Sequence, residues 1–310
     1  MRKKKWTVDD IPQQEGKLAV VTGANSGLGF HTTRALASKG AKVIMACRNL
    51  EKGALARQRI MNEGGEVEPE VWHLDLASLD SVKQFALKFA ARYDKLDLLI
   101  NNAGLMAIPY DRTEDYFEMQ FGVNHLAHFA LTARLWPLLF KTEGSRVVQV
   151  SSLAHYFGKI RFEDIHWEKG YKKWGAYGMS KLANLLFVRE LARRVSEAGG
   201  GVTAAAAHPG WAETELQAKS ARMEGKELGA KAMDLINKML AQSGERGALP
   251  SLYAATADGV DQGAYFGPGG LMRMHGWPAP DYPSKKLVNN EVAGQLWELS
   301  ESLTGTKFRI

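Results

Sequence analysis

Tyr177 and Lys181 stand four residues apart in the run Ala-Tyr-Gly-Met-Ser-Lys-Leu. Residues at i and i+4 share one face of a helix, which would set a phenol beside an ammonium. An unperturbed tyrosine titrates near ~10 and is a poor acid–base group at neutral pH. A fixed cation beside it lowers that value and makes proton transfer available. The spacing alone proves little, because Tyr282 and Lys286 share it. Their surroundings differ: Pro283 follows Tyr282 in a Gly-Trp-Pro-Ala-Pro-Asp-Tyr-Pro stretch that reads as loop. Lys181 instead opens a run with Leu182, Leu185, Leu186 and Val188 that reads as an amphipathic helix.

A second chemical feature lies far upstream. Gly23, Gly27 and Gly29 follow the apolar run Lys-Leu-Ala-Val-Val-Thr and precede a helical pattern over 30–36. Strand, glycine turn and helix together point backbone N–H groups and a helix N-terminus at a pyrophosphate. Glycine serves where a Cβ would block close approach. The spacing is Gly-x-x-x-Gly-x-Gly rather than Gly-x-Gly-x-x-Gly.

Taken with Asn101-Asn102-Ala103-Gly104, Asn124, the Val-Ser-Ser ending at Ser152, and His208-Pro209-Gly210, the chain resembles the short-chain dehydrogenase/reductases from about residue 17 to about 267. It is most similar to the retinol-dehydrogenase-like branch and its bacterial relatives. The residues that carry this are Asn124-His125-Leu126-Ala127-His128-Phe129, Ser151-Ser152-Leu153-Ala154-His155, Ser180-Lys181-Leu182-Ala183-Asn184 and the closing Leu296-Trp297-Glu298-Leu299-Ser300-Glu301.

The resemblance implies a nicotinamide enzyme and assigns roles. Tyr177 would be the acid in reduction and the base in oxidation. Lys181 would lower its pKa and hold the nicotinamide ribose. Ser152 would hold the substrate oxygen; Ser151 is its rival, since adjacent strand side chains point to opposite faces. Asn124 would fix a water relay to Lys181. Gly23, Asn25, Ser26, Gly27, Leu28 and Gly29 would cradle the pyrophosphate. Asn102, Ala103 and Gly104 would wall the adenosine side, with Asp75 and Leu76 at the adenine. Pro209 and Gly210 would shape the nicotinamide pocket, with Thr214 on the carboxamide. An acidic residue at the end of the second strand would select NAD; that place holds Cys47, Arg48 and Asn49. Arginine grips phosphate, so the expected cofactor is NADP(H).

The elements that must position these residues alternate along the chain. Strands are predicted at 43–46, 71–74, 98–100, 147–150 and 202–206, with helices at 50–62 and 81–92. This rhythm argues for an α/β fold with a parallel sheet and helices on both faces; the family form is one Rossmann-type doubly wound sheet. No linker divides the chain, so residues 1–310 are read as a single domain. It has a basic tail at 1–15, an insertion at 157–174 and a substrate lid at 213–244. The insertion stretches the Ser152–Tyr177 separation to 25 positions, about twice the usual family spacing.

Bulk properties narrow the function. The net charge of +6 includes Arg2, Lys3, Lys4 and Lys5, leaving +2 for the rest. The high pI of about 9.2 therefore reads as a solvated tail rather than a nucleic-acid surface. Cys47 is the single cysteine, which excludes an internal disulfide and fits a reducing, cytoplasmic setting. No apolar run approaches the ~20 residues of a membrane span, and no signal-peptide stretch opens the chain, so a soluble bacterial-type relative is expected. His125 and His128 have a spacing zinc can use, but no third ligand accompanies them, so they are read as packing residues and no metal is expected.

Partners and substrate rest on apolar patterns. Met233, Leu235, Ile236, Met239 and Leu240 predict an amphipathic lid helix, and Leu271, Met272, Met274 and Trp277 could close the same pocket. Adaptable methionines suit a lipophilic aldehyde, ketone or alcohol. Phe129, Leu131, Leu135, Trp136, Leu138 and Phe140 make one helix unusually apolar, which predicts a homodimer or homotetramer. Two rival functions have sequence tests. Extended-type sugar-nucleotide epimerases and dehydratases usually need a glycine at Ser26. Non-catalytic NADP-sensing regulators typically lose the tyrosine or lysine. Protochlorophyllide reductase, a near relative of this branch, relies on pocket cysteines, and Cys47 lies on the second strand.

Overall fold

Leu18 and Val20 face one side of their strand and Ala19 and Val21 the other, yet all four are buried. Strands apolar at odd and even positions alike belong to a sheet covered on both faces. The computed structural model describes residues 5–211, 242–283 and 287–310. In chain order these form β1 (Leu18–Thr22), α1 (Gly27–Ala37), β2 (Lys42–Cys47), α2 (Leu50–Asn62), β3 (Glu70–His73), α3 (Leu79–Arg92), β4 (Leu98–Asn101) and α4 (Met119–Phe121). Then come α5 (Ala127–Lys141), β5 (Arg146–Val150), α6 (Lys173–Ala198), β6 (Thr203–Ala207), α7 (Gly244–Thr256), β7 (Tyr265–Pro268), β8 (Pro278–Pro280) and α8 (Asn290–Thr304).

The strand order is β3-β2-β1-β4-β5-β6-β7-β8, parallel throughout except for the antiparallel β7–β8 pair. The order reverses between β1 and β4, the switch point where doubly wound sheets bind ligands beyond their carboxyl ends. One core holds Val20, Ile44, Leu99, Val147 and Ala206 against α3, α5, α6 and α8. The other holds Val21, Met45, Ile100, Val148 and Ala207 against α1, α2 and α7.

Most predicted boundaries shift by a residue or two. The larger differences have physical causes. Helix α1 starts at Gly27 rather than residue 30, so two of the three glycines lie in its first turn. The expected tail is packed from Trp6 onward: the Trp6 ring meets Tyr253 edge-on at 5.2 Å, and Ile11 and Gln14 are buried. The insertion at 157–174 joins the domain too. Ile160, Ile165 and Trp167 enter the core, and the Tyr171 hydroxyl accepts from Gln120 Nε2 (2.8 Å) and donates to the Ile108 carbonyl (3.0 Å).

The surplus apolar face of α5 finds its cover within the chain. Phe129 meets Trp297 at 5.1 Å and Phe308 at 5.0 Å, and Trp136 meets Phe308 at 5.7 Å. Leu131, Leu135 and Trp136 are buried, while Phe140 keeps 43% of its surface exposed. Helix α8 and the carboxy-terminal segment cover most of the face for which a second subunit was expected. The reason for expecting a homodimer or homotetramer from this helix is thereby removed.

Candidate active site

The carboxyl ends of β1 and β4 are joined through Thr22. Its hydroxyl oxygen accepts from the backbone N–H of Asn102 and of Ala103, both at 2.9 Å, and its carbonyl accepts from Asn102 Nδ2 at 2.8 Å. Gly23 and Gly27 have positive φ angles of 65° and 53°, the left-handed turn that only glycine takes without strain. Gly29 is required by packing: a Cβ there would sit 2.3 Å from the Gly23 carbonyl oxygen and 2.6 Å from Asn102 Nδ2. The result is a cleft of ≈ 520 Å³. Its lining includes Gly23, Asn25, Ser26, Gly27, Leu28, Arg48, Asn49, Asp75, Leu76, Asn102, Ala103 and Gly104. Ser26, at the N-cap of α1, makes no side-chain cap, which leaves the first-turn N–H groups facing the cleft. The cradle fits an extended dinucleotide with its pyrophosphate at the helix end.

Two of the lining residues carry local duties as well. Asn49 caps α2 by accepting from the Lys52 N–H at 2.8 Å. Asp75 Oδ1 accepts from the Ala77 N–H at 2.9 Å, the loop-capping role common for an aspartate after a strand. Sequence reasoning overlooked Lys52, which lines the cleft beside Arg48. Its only signal was a basic residue in the first turn of the helix that follows Arg48.

Behind Gly104 lie Tyr177, Lys181 and Ser152, the residues expected to transfer the proton. A Cβ on Gly104 would stand 3.3 Å from Lys181 Nζ and 3.1 Å from Asn124 Oδ1, so this glycine opens the cleft toward both. Tyr177 and Lys181 share the buried side of α6. The Ser152 hydroxyl hydrogen-bonds the Tyr177 phenol. Ser151 points the other way and donates to the Lys181 carbonyl at 2.8 Å, so the serine that reaches the phenol is Ser152. Asn124 accepts from the Leu105 N–H (2.7 Å) and donates to the Leu105 carbonyl and to Ser180 Oγ, both at 2.9 Å.

The electrostatics differ from the expectation. Lys181 Nζ donates to the Val150 carbonyl at 3.1 Å and lies 5.9 Å from the Tyr177 ring centroid. Burial pushes the phenol up to about 12, countered only by the Ser152 hydrogen bond. The predicted lowering by Lys181 is absent: its Nζ is drawn to the Val150 carbonyl, and desolvation sets the phenol's shift. Burial also brings the Lys181 ammonium down to about 8.

This geometry has close counterparts. The short chain dehydrogenase family model matches residues 17–225. Human retinol dehydrogenase 13 is 43% identical over 293 residues, covering 94% of this chain and 85% of the relative. Human retinol dehydrogenase 11 is 40% identical, covering 94% and 87%. The crystal structure of an uncharacterized protein from Mycobacterium paratuberculosis superposes with a TM-score of 0.82 at 42% identity, covering 99% of this chain and 100% of that one. A short chain dehydrogenase from Shigella flexneri 2a complexed with NADP superposes at 0.62 with 25% identity, covering 83% and 98%. The chain belongs to the short-chain dehydrogenase/reductases, in their retinol-dehydrogenase-like branch. It is an oxidoreductase of a family that uses nicotinamide cofactors.

In this short-chain dehydrogenase, Pro209 and Gly210 lie beyond β6, where Gly210 has φ 65° and a Cβ would press on the Met274 carbonyl at 2.3 Å. Thr214 and the apolar lid positions from Met233 to Leu240 fall outside the described residues, as does Lys286 of the control pair. Of the expected lid at 213–244 only 242–244 are described: Gln242 Nε2 donates to the Pro209 carbonyl at 2.6 Å, and Ser243 caps α7. The segment facing Gly210 is clamped by a group the sequence did not announce. The buried Asp281 carboxylate accepts from neutral His208 Nε2 at 2.8 Å and pairs with Arg273. Beside the clamp, Leu271 and Met272 are 88% and 72% exposed. His125 is buried and bonded to Ser300 Oγ at 2.8 Å, and His128 to Thr22 Oγ1 at 2.9 Å, as packing residues would be. Among the described residues, no helix is long and apolar enough to cross a membrane.

The buried lysine has a measurable consequence. Lys181 holds fewer protons folded than unfolded between its lowered value of about 8 and the ordinary 10.5. Stability rises with pH wherever the unfolded chain binds more protons. Tyr177, held up near 12, opposes this only above ~10. Between pH 8 and 10 the wild type should therefore gain stability relative to Lys181→Met in urea unfolding. Parallel pH profiles for the two proteins would show that the ammonium is not desolvated.

Proposed function

We infer that this oxidoreductase uses NADP(H) to interconvert a carbonyl and an alcohol on a lipophilic substrate. The observation that carries this is the convergence of Ser152, Tyr177 and Lys181 behind Gly104 at the end of the dinucleotide-shaped cleft. When bound, the reduced nicotinamide supplies a hydride to the carbonyl carbon. Ser152 donates a hydrogen bond to the carbonyl oxygen, and Tyr177 delivers a proton to the same oxygen as negative charge develops there. Burial pushes the phenol up to about 12, so Tyr177 carries the proton it would deliver. Lys181, whose Nζ is held by the Val150 carbonyl beside Gly104, would hold the nicotinamide ribose. Asn124 fixes the Leu105 loop and Ser180, and through them the group's position.

For the cofactor, Arg48 and Lys52 line the cleft at the end of β2, where an NAD-selecting carboxylate would otherwise stand, and two cations there favour a ribose 2′-phosphate. The NADP complex of the Shigella dehydrogenase supports the same choice. For the substrate, the Trp174 ring stands edge-on to Tyr177 at 6.1 Å with half its surface exposed, and Leu271 and Met272 are exposed on the Gly210 side. An apolar rim of this kind and the retinol dehydrogenase relatives both favour a lipophilic carbonyl.

Three measurements test this reading. Tyr177→Phe should bind NADPH nearly as the wild type does and lose at least ~10²-fold in turnover; near-normal turnover would sink the mechanism. Arg48→Ala should raise the KM for NADPH by roughly tenfold or more, the scale of one hydrogen bond to a charged group, and leave that for NADH almost unchanged. Equal losses for both cofactors would remove the NADP(H) assignment. Across a homologous series of aldehydes, kcat/KM should climb by up to about fourfold per methylene until the pocket fills. A flat series, alongside good turnover of a sugar or keto acid, would overturn the substrate class.

A further inference from the structure

His128 lies in the first turn of α5, fully buried, and reaches no cofactor-facing surface of the cleft. Its two ring nitrogens nonetheless touch both halves of the site. Nδ1 stands 3.1 Å from the Asn124 carbonyl oxygen, and Nε2 stands 2.9 Å from Thr22 Oγ1, 106 residues away in sequence. A carbonyl only accepts, so Nδ1 must carry the hydrogen. Thr22 Oγ1 already accepts from the N–H groups of Asn102 and Ala103. Its one proton is therefore free to go to Nε2, which must be bare. Every donor and acceptor is matched by a single tautomer of neutral histidine, and burial, which brings this ring down to about 4, keeps it neutral.

We propose that His128 is a positioning residue that locks the cofactor cradle and the proton-transfer group into one register through its two nitrogens. The Nε2 arm orients the Thr22 hydroxyl, which holds the Asn102–Ala103 wall of the cleft. The Nδ1 arm fixes the Asn124 backbone. From there the Asn124 amide holds Ser180, whose hydroxyl donates to the Tyr177 carbonyl at 2.8 Å. The two arms serve different quantities, affinity for the dinucleotide and rate of the chemical step. This inference rests on the NADP(H) oxidoreductase reading above.

The two arms can be cut separately. In His128→Asn the amide nitrogen overlays Nδ1 and keeps the bond to Asn124, but nothing reaches Thr22. In His128→Gln the longer amide overlays Nε2 and can accept from Thr22, while the Asn124 carbonyl loses the shorter of its two side-chain donors and keeps only Gln149 Nε2 at 3.4 Å. NADPH dissociation constants from quenching of tryptophan fluorescence, and kcat with one accepted aldehyde, give the readout. The asparagine variant should weaken NADPH by about tenfold, the scale of a buried hydrogen bond, with kcat nearly retained. The glutamine variant should show the reverse. Wild-type behaviour in both variants, or equal losses of affinity and rate in both, would overturn the proposal. If the histidine variants do not fold, Thr22→Ser and Thr22→Val decide it: serine should match the wild type and valine should weaken NADPH. A valine variant that binds NADPH normally would likewise overturn it. A wild-type protein that neither binds NADPH nor reduces any aldehyde would instead remove the functional reading, which separates the two failures.

Discussion

The hydroxyl of Thr22 is the contact on which the site depends. A parallel sheet whose order reverses at β1 and β4 leaves a crevice beyond those two strand ends, and the strands there diverge toward separate helices. Nothing in the ladder itself holds the crevice to one width. The Thr22 side chain does so by binding two successive backbone N–H groups of the neighbouring strand's exit. The same exit is pinned from the other side by Gly29, whose missing Cβ leaves room for Asn102 to reach the Thr22 carbonyl. The turn glycines thus serve strand-to-strand packing as much as the approach of a phosphate.

On that base the protein places two ionisable groups in a dry setting and lets burial set their charge. Desolvation moves a phenol up and an ammonium down. Tyr177 therefore keeps its proton more firmly than a free tyrosine, while Lys181 holds its own less firmly. A negative charge that develops near them would meet an ammonium with little competing solvent, where electrostatic interactions are strongest. The unfavourable burial is tolerated because α6 is anchored along its length by the packing of Phe187, Leu191 and Val195 with α8 and the sheet.

What was legible in the sequence follows the reach of each interaction. The glycine turn, the β–α alternation and the i, i+4 pair are local patterns, and the structure places their residues around one cleft. Two charged or packing features were misjudged because their environment is built from distant segments. Lys181 is adjacent to Tyr177 along the helix, but its Nζ is drawn to the Val150 carbonyl on the sheet. The α5 apolar surplus looked unpartnered because its cover, Trp297 and Phe308, lies more than 150 residues away. Separations of 106 and 73 residues likewise hid the Thr22–His128 bond and the pairing of His208 with Asp281 in the clamp that Arg273 completes. The latter joins a strand end to a segment with no periodic pattern at all.

Between α4 and α5 the helix does not wind uniformly. Residues Gly122–Leu126 form a π-turn, with the Ala127 N–H donating to the Gly122 carbonyl five residues back. One added residue in a helix advances the phase of everything beyond it by about 100°. Gln120 before the turn and Asn124 within it can thus reach the loops of the site, while the stretch after it presents Phe129, Leu131 and Leu135 to the cores. A uniform α-helix carrying the same side chains would have to misalign one set or the other. Here chain length is itself a functional variable: removing a single residue from this turn would rotate the core face of α5 out of step with Gln120 and Asn124, though no side chain that does chemistry had been changed.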